Sequence, residues 1–343
     1  MGFRGTLERR SRQESVSVIT YDNGIHAIDA EYVRPMLDAV HLVIHEGRAA
    51  FVETGTSRSV PQLLAALESL GLSRDAVDWV FITHVHLDHA GGAGQLMQVL
   101  PNAKAVLHPR GAPHMIDPRK LVDASIAVYG VDAFTELYGE IVPIASERVV
   151  STEPGQLFSL AGRDFEILHT PGHAMHHQVF FDHHAKAVFT GDTFGLSYRE
   201  FDVDGRAFAF PTTTPTQFDP DQLIDSIHRI LALQPRAAYF THYGEVRDLP
   251  RLAVALERMT RAFAEAAKDE AGKIETESQL RDRLLHRISQ ILRVELQAHG
   301  CAMTTQRIDE LLGLDIGLNV DGLIAWLARD PVTRQAVAKG NAS

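Results

Sequence analysis

Thr83-His84-Val85-His86-Leu87-Asp88-His89-Ala90-Gly91-Gly92 decides how this chain is read, because four of these ten residues are metal ligands by type. The stretch follows an apolar run, Val77 to Ile82, with the composition of a buried strand. Continued extended backbone would point His84 and His86 to one face, and the following turn can bring Asp88 and His89 round the same point. Imidazoles with a carboxylate suit zinc, iron or manganese, and the absence of sulfur excludes a thiolate site. An isolated histidine pair is more often a satisfied polar pair near a core. Four ligand types within six residues are not explained that way.

Three further strand ends share the grammar of apolar run, threonine, then ligand beside glycine. Phe165–His169 runs into Thr170-Pro171-Gly172-His173, Ala187–Thr190 into Gly191-Asp192, and Ala237–Thr241 into His242-Tyr243-Gly244. Glycine permits the sharp turn and close approach such a position needs. Ends of several strands can converge on one point, as in α/β active sites generally.

The rest of the chain frames these motifs. Short apolar runs over 16–53 are joined by Asp22-Asn23-Gly24 and Glu46-Gly47-Arg48, which suit hairpins. Ser59–Leu70 reads as a helix with Pro61 in its first turn and Gly71 past its end. Helix is also expected over Gly91–Leu100 and strand over Lys104–His108. The mixed stretch 109–150, with a helical piece at Leu121–Tyr129, reads as an insertion near the site. Asp219-Pro220 opens a helix that reaches Leu233. Beyond 250 only helical spacing remains: Leu252, Leu256, Met259 and Phe263, then Leu280 to Leu296 between a Thr276/Gln279 capping box and Gly300. Two shorter helices are expected at 305–312 and 320–329.

Composition bounds the class. A chain of 343 residues, 45% hydrophobic and 22% charged, can bury one large core or two ordinary ones. A formal charge of −11 argues against nucleic-acid partners. The single cysteine, Cys301, excludes an internal disulfide framework. The polar, Arg- and Glu-rich start lacks the apolar stretch of a signal peptide, and no uninterrupted apolar run of membrane-spanning length stands out. A cytoplasmic protein with no membrane partner is the expectation.

His-x-His-x-Asp-His followed in order by His173, Asp192 and His242 resembles the metallo-β-lactamase fold superfamily, over approximately residues 15 to 248. The resemblance implies an α/β protein of the four-layer αββα sandwich type with metals at one edge. It divides the chain into a flexible N-terminus (1–14), the metallo-β-lactamase-like domain (15–248) and an all-helical extension (249–343) that covers the domain or mediates a homodimer. It further implies that His84, His86 and His173 hold one metal, that Asp88, His89 and His242 hold a second, and that Asp192 bridges them. Two divalent ions, zinc first with iron or manganese as alternatives, would share a hydroxide that attacks a small ester, thioester, lactone or phosphodiester. Asp88 would also orient that nucleophile or carry its proton.

One departure is visible. The superfamily usually has Asp before Thr-Gly, and this chain reads Phe51-Val52-Glu53-Thr54-Gly55. Glu53 should support the ligands from behind, reaching one methylene further. His177 is a further supporting or substrate-facing residue, and Tyr198 and Tyr243 are phenolic donors that packing explains equally well. The segment 210–216 should loop over the site. Two other functions stay open: a mononuclear iron persulfide dioxygenase using mainly His84, His173 and Asp192, and a non-catalytic signalling or scaffold protein acting through the helical extension.

Overall fold

The alternation of apolar side chains along the strands explains two stacked sheets. In the second half of the chain Val179, Phe181, Val188 and Ala238 face one way, while Phe180, Phe189 and Tyr239 face the other. Both faces are apolar, so each needs a partner layer. The structure, a computed structural model, describes residues 17–213, 217–273 and 276–329. The expected flexible segment 1–14 and the end of the helical extension, 330–343, lie outside them.

The first sheet runs in chain order through β1 (Val18–Thr20), β2 (Ile25–Asp29), β3 (Ala39–His45), β4 (Arg48–Val52), β5 (Val77–Phe81), β6 (Lys104–Leu107) and β7 (Val149–Ser151). The second contains β8 (Leu157–Leu160), β9 (Arg163–His169), β10 (Gln178–Asp182), β11 (Ala187–Gly191), β12 (Ala237–Phe240) and β13 (Gly244–Val246), in the order β13-β12-β11-β10-β9-β8. Between the sheets Val43, Val52, Phe81 and Val106 meet Phe165, Ile167, Phe180 and Phe189.

Helices cover the outer faces. On the first sheet lie α1 (Val60–Ser69), α2 (Leu87–Ala90), α3 (Ala93–Val99) and α4 (Ala112–Ile116), with Leu63, Leu67 and Leu96 packed on Leu42, Phe51 and Val80. The expected insertion forms α5 (Arg119–Tyr129) and α6 (Val131–Tyr138). On the second sheet lie α7 (Pro220–Ala232), α8 (Leu249–Ala271), α9 (Glu277–His299) and α10 (Thr305–Arg329). The result is the αββα sandwich with a helical extension. The caps read from sequence are made: Asp219 Oδ1 accepts from Gln222 N at 2.9 Å, and Thr276 Oγ1 accepts from Gln279 N at 3.3 Å. Gly300 ends α9 in the left-handed region at φ 96°.

The last helix corrects the sequence reading. In place of the two shorter helices expected at 305–312 and 320–329, α10 is continuous from Thr305 to Arg329, through Gly313 and Gly317. Its buried face of Leu312, Ile316, Val320 and Leu323 joins the core formed by the second sheet and α7–α9, and that packing outweighs the roughly 1 kcal/mol each glycine costs. By length and composition alone α10 is apolar enough to cross a membrane, although half of its most apolar window is buried inside the protein. Core burial is the ordinary origin of such a composition.

Strand direction places the chemistry. β4 and β5 are parallel, as are β11 and β12, and β10 runs antiparallel to both β9 and β11. The C-terminal ends of β9, β11 and β12 therefore share one edge. Gln178 joins that edge to the first sheet, its backbone N donating to Thr83 O at 2.8 Å and its Nε2 to Ile82 O at 2.9 Å. Every ligand-bearing turn emerges there.

Candidate metal centre

Seven side chains named from sequence converge at this edge. The ligand atoms of His84, His86, His173 and Asp192 lie within 4.8 Å of one another, and those of Asp88, His89 and His242 form a second such group. Asp192 faces both: Oδ2 is 3.4 Å from His173 Nε2, and Oδ1 is 3.3 Å from His89 Nε2 and 3.6 Å from His242 Nε2. Asp88 Oδ2 lies 3.7 Å from Nε2 of both His89 and His242. Two donors about 2.1 Å from a tetrahedral cation are about 3.4 Å apart. The spacing matches that value.

The outer nitrogens fix which atoms point inward. His242 Nδ1 donates to Leu37 O at 2.8 Å, His173 Nδ1 to Thr212 O at 3.3 Å, and His89 Nδ1 to Glu53 Oε1 at 3.2 Å. Carbonyls and carboxylates only accept, so in each neutral imidazole it is Nε2 that carries the lone pair toward the centre. Thr83 Oγ1 donates to Glu53 and accepts from His84 Nδ1 at 3.0 Å, with the same consequence for His84. His86 is turned the other way. Its Nδ1 enters the cluster, 2.9 Å from His84 Nε2 and 3.1 Å from His173 Nε2.

Electrostatics follow from burial and neighbours. Burial, reinforced by the surrounding imidazoles, holds His84 and His86 well below the ordinary histidine range, and burial lowers His173. Burial acts on His89 in the same sense, but the carboxylates of Asp192, Asp88 and Glu53 outweigh it and hold its pKa well above that range. Burial would likewise raise Asp192, and His89, His173 and His242 instead keep it well below the usual carboxylate range.

The donor set fits a divalent cation. His89 Nε2 and Asp192 Oδ1 are buried and have no hydrogen-bond partner, each at a cost of ~1–3 kcal/mol that coordination would remove. Glu53, His84 and His89 form a third close group, but the Glu53 carboxylate is already committed. It accepts from Thr83 Oγ1, Thr83 N at 3.3 Å, His89 Nδ1 and Thr241 Oγ1 at 3.5 Å. Its place is behind the ligands, with φ at 69°, a strained value for a non-glycine residue.

A family model described as the metallo-beta-lactamase superfamily matches residues 36–242. This chain belongs to that superfamily. A metallo-beta-lactamase fold-containing protein, ST1585 of Sulfurisphaera tokodaii, is 27% identical over 228 residues, which are 65% of this chain and 79% of the relative. A crystal structure of ST1585 superposes with a TM-score of 0.59 at 25% identity, covering 88% of this chain and 99% of that one. The metallo-beta-lactamase family protein TTHA1429 of Thermus thermophilus superposes at 0.64 with 21% identity, over 89% and 93% of the two chains, and shows the shared fold. The hydroxyacylglutathione hydrolase GloC of Haemophilus influenzae is 30% identical over 153 residues, 43% of this chain and 61% of that protein, so less than two thirds of its length is matched.

The remaining named residues divide. Within this superfamily frame His177 sits behind Asp192: its Nε2 accepts from Asp192 N at 3.2 Å, while Nδ1 lies 2.9 Å from both Thr170 Oγ1 and Thr193 Oγ1. Gly191 makes this approach possible, because a Cβ there would collide with Thr83 Oγ1 and with His177. Tyr198 lines the cavity beside the cluster, and its hydroxyl donates to Asp315 at 2.9 Å. Tyr243 does not face the cavity. The turn after β12 sends its ring into a pocket of Ala27 and Ala39. His176 and His114 line the cavity, whereas His108 packs on His169 with ring centroids 4.2 Å apart.

That cavity, about 310 Å³, opens onto His86, Asp88, Asp192 and His242. The loop 30–38 contributes Tyr32 and Leu37, the insertion contributes Leu121, Val128 and Tyr138, and α10 contributes Leu314, Asp315 and Leu318. An insertion near the site and an extension over the domain are expected from sequence, but the residues they contribute to the wall are not singled out by it. For Asp315 a signal was present, an acid within the apolar stretch Leu311 to Val320. Of the segment 210–216, residues 214–216 lie outside the described residues, and Thr212 lines the cavity.

Proposed function

We propose that this protein is a dinuclear metal-dependent hydrolase that cleaves a small ester or thioester. The observation that carries the reading is Asp192, whose two oxygens face two separate sets of histidines. His84, His86 and His173 would hold one cation and Asp88, His89 and His242 the other, with Asp192 shared. Two divalent cations so held would supply hydroxide at neutral pH and polarise the scissile carbonyl.

The chain's own groups do the rest. Asp88 is partly buried and lines the cavity, so its carboxylate is placed to hold the proton released by the nucleophile and return it to the leaving group. His177 and Glu53 keep Asp192 and His89 in register. Leu37, Val85, Leu196 and Leu318 exclude water around the acyl group. Acyl substrates rank above phosphodiesters because Lys120 is the one lysine among the described residues that line the cavity, and Asp88 and Asp192 line it too. The similarity to GloC supports a thioester in particular.

The test is turnover of ester, thioester, lactone and phosphodiester panels by protein loaded with zinc, manganese or iron. Asp88→Ala and His86→Ala should lose turnover by several orders of magnitude while retaining the wild-type circular dichroism. Unchanged rates in both variants would refute the assignment. A single tightly held iron with oxygen uptake on glutathione persulfide would replace it with dioxygenase chemistry.

A further inference from the structure

Asp315 stands out among the cavity residues. Its side chain is buried on α10, it lines the cavity beside the metal cluster, and it has no ion-pair partner among the described residues. Among the described residues, the polar side chain that satisfies it is the Tyr198 hydroxyl, at 2.9 Å from Oδ1 and 3.1 Å from Oδ2. Arg34 acts on this carboxyl from a distance: its guanidinium lies over the Tyr198 ring at 4.7 Å, its Nη1 pairs with Glu200 at 2.6 Å and its Nη2 is buried without a hydrogen-bond partner, but it makes no ion pair with Asp315 among the described residues. Lys120 is exposed at the rim. A carboxyl taken out of water without a directly paired cation is costly, and burial, only partly offset by the Tyr198 hydroxyl and the more distant Arg34, raises its pKa to about 7.

The surroundings of Asp315 are apolar. Leu314 and Leu318 flank it on α10, and Leu37 and Leu196 line the same space. Leu314 and Val128 are 50% and 62% exposed, so apolar surface continues outward at the mouth. An acid set in such a wall, with free lone pairs on both oxygens, is a recognition group for a donor carried on an apolar frame.

We propose that Asp315 and Tyr198 form a cation-recognising subsite, and that the preferred substrate is an ester or thioester whose acyl part is apolar along its length and bears a primary ammonium. The ammonium donates to Asp315, which completes the ion pair the protein itself leaves open. Tyr198 holds the carboxyl in place, and the aliphatic part of the acyl chain lies on the leucines. This rests on the hydrolase reading above for the position of the scissile bond, and on the cavity alone for the cation.

The experiment is calorimetric titration of the zinc-loaded protein with a homologous series of ω-amino carboxylates from butanoate to octanoate, the products of such a reaction. Matched alkanoates and ω-hydroxy carboxylates are the controls. At one chain length the amino acid should bind about 10- to 100-fold more tightly than the alkanoate, the worth of one charge-assisted hydrogen bond. Asp315→Asn should abolish the preference. Tyr198→Phe, which keeps the carboxyl and removes its phenolic donor, should retain it. Equal binding of amino and hydroxy acids, equal binding of amino acids and alkanoates at every length, or a preference that survives Asp315→Asn would overturn the subsite. If the protein takes up no zinc or hydrolyses no ester, the hydrolase reading fails separately. The subsite is then judged on metal-free protein with n-alkylamines against n-alkanols, where Asp315→Asn must remove any preference for the amine.

Discussion

Asp192 Oδ1 lies 3.3 Å from His89 Nε2, both atoms are buried, and neither has a hydrogen-bond partner. Such a pair is stable only if something binds between the two atoms or a proton is taken up. Chelator-treated protein should therefore melt several degrees below zinc-loaded protein, with a shift that grows with the logarithm of the free zinc concentration. Scanning calorimetry over a zinc series checks this, and a melting temperature independent of zinc would count against the centre.

Asp192→Asn keeps the shape of the residue and removes its charge. Plasma mass spectrometry should show retained metal falling from about two equivalents to one or fewer, with turnover lost. Full metal retention by this variant would exclude a bridging role.

Glu53 collects donors from Thr83, His89 and Thr241 around one buried carboxylate. Glu53→Gln turns part of that acceptor into a donor facing other donors. Zinc affinity should fall by about 10- to 100-fold, with a stability loss of ~1–3 kcal/mol. Competition with a chromophoric chelator and urea unfolding measure the two quantities independently.

Asp315 gives a pH signature. Its folded pKa, raised from 3.8 to about 7, means that the native state binds a proton the unfolded chain has released across that interval. Stability from this group is full below the unfolded value and is lost as pH rises toward 7. Asp315→Asn has no such group. The urea midpoint of wild type relative to Asp315→Asn should decline between pH ~5 and ~7.5 by the equivalent of about 1–3 kcal/mol, because the metal-site histidines titrate alike in both proteins. A constant difference would show that Asp315 is already ionised at the lower pH.

The centre was legible because its ligands sit at strand ends, where local sequence carries the signal: an apolar run, a threonine, a ligand and a glycine. Parallel strands then bring those ends together without further instruction. Glu53 was legible as a departure from the usual aspartate, and its extra methylene is absorbed by the hydrogen bonds from Thr83 and Thr241. Of the cavity wall only the segments and Tyr198 were legible, not the other residues that line it. Tyr32, Tyr138 and Asp315 come from segments more than a hundred residues apart, and only tertiary packing makes them neighbours. The continuity of α10 through Gly313 and Gly317 was hidden for the same reason, since its buried face decides it and not its propensity.

Two adjacent residues tie that wall to the centre. Thr212 O accepts from His173 Nδ1, and Thr213 is held by Asn319 on α10, its N donating to Oδ1 at 2.6 Å and its Oγ1 to the backbone carbonyl at 2.7 Å. Asn319→Ala leaves the Thr213 N–H without that acceptor. It should cost ~1–3 kcal/mol and weaken zinc binding several-fold. Lost stability with unchanged zinc affinity would confine the effect to packing.

This short tether has an evolutionary consequence. A change in α10 that reshapes the cavity also perturbs the backbone that orients a metal-facing imidazole. Cavity shape and the orientation of the metal-facing imidazole are therefore inherited here as one character. A chimera that exchanges only residues 305–329 for those of a relative should move both in concert, and selection on either would leave its mark on the other.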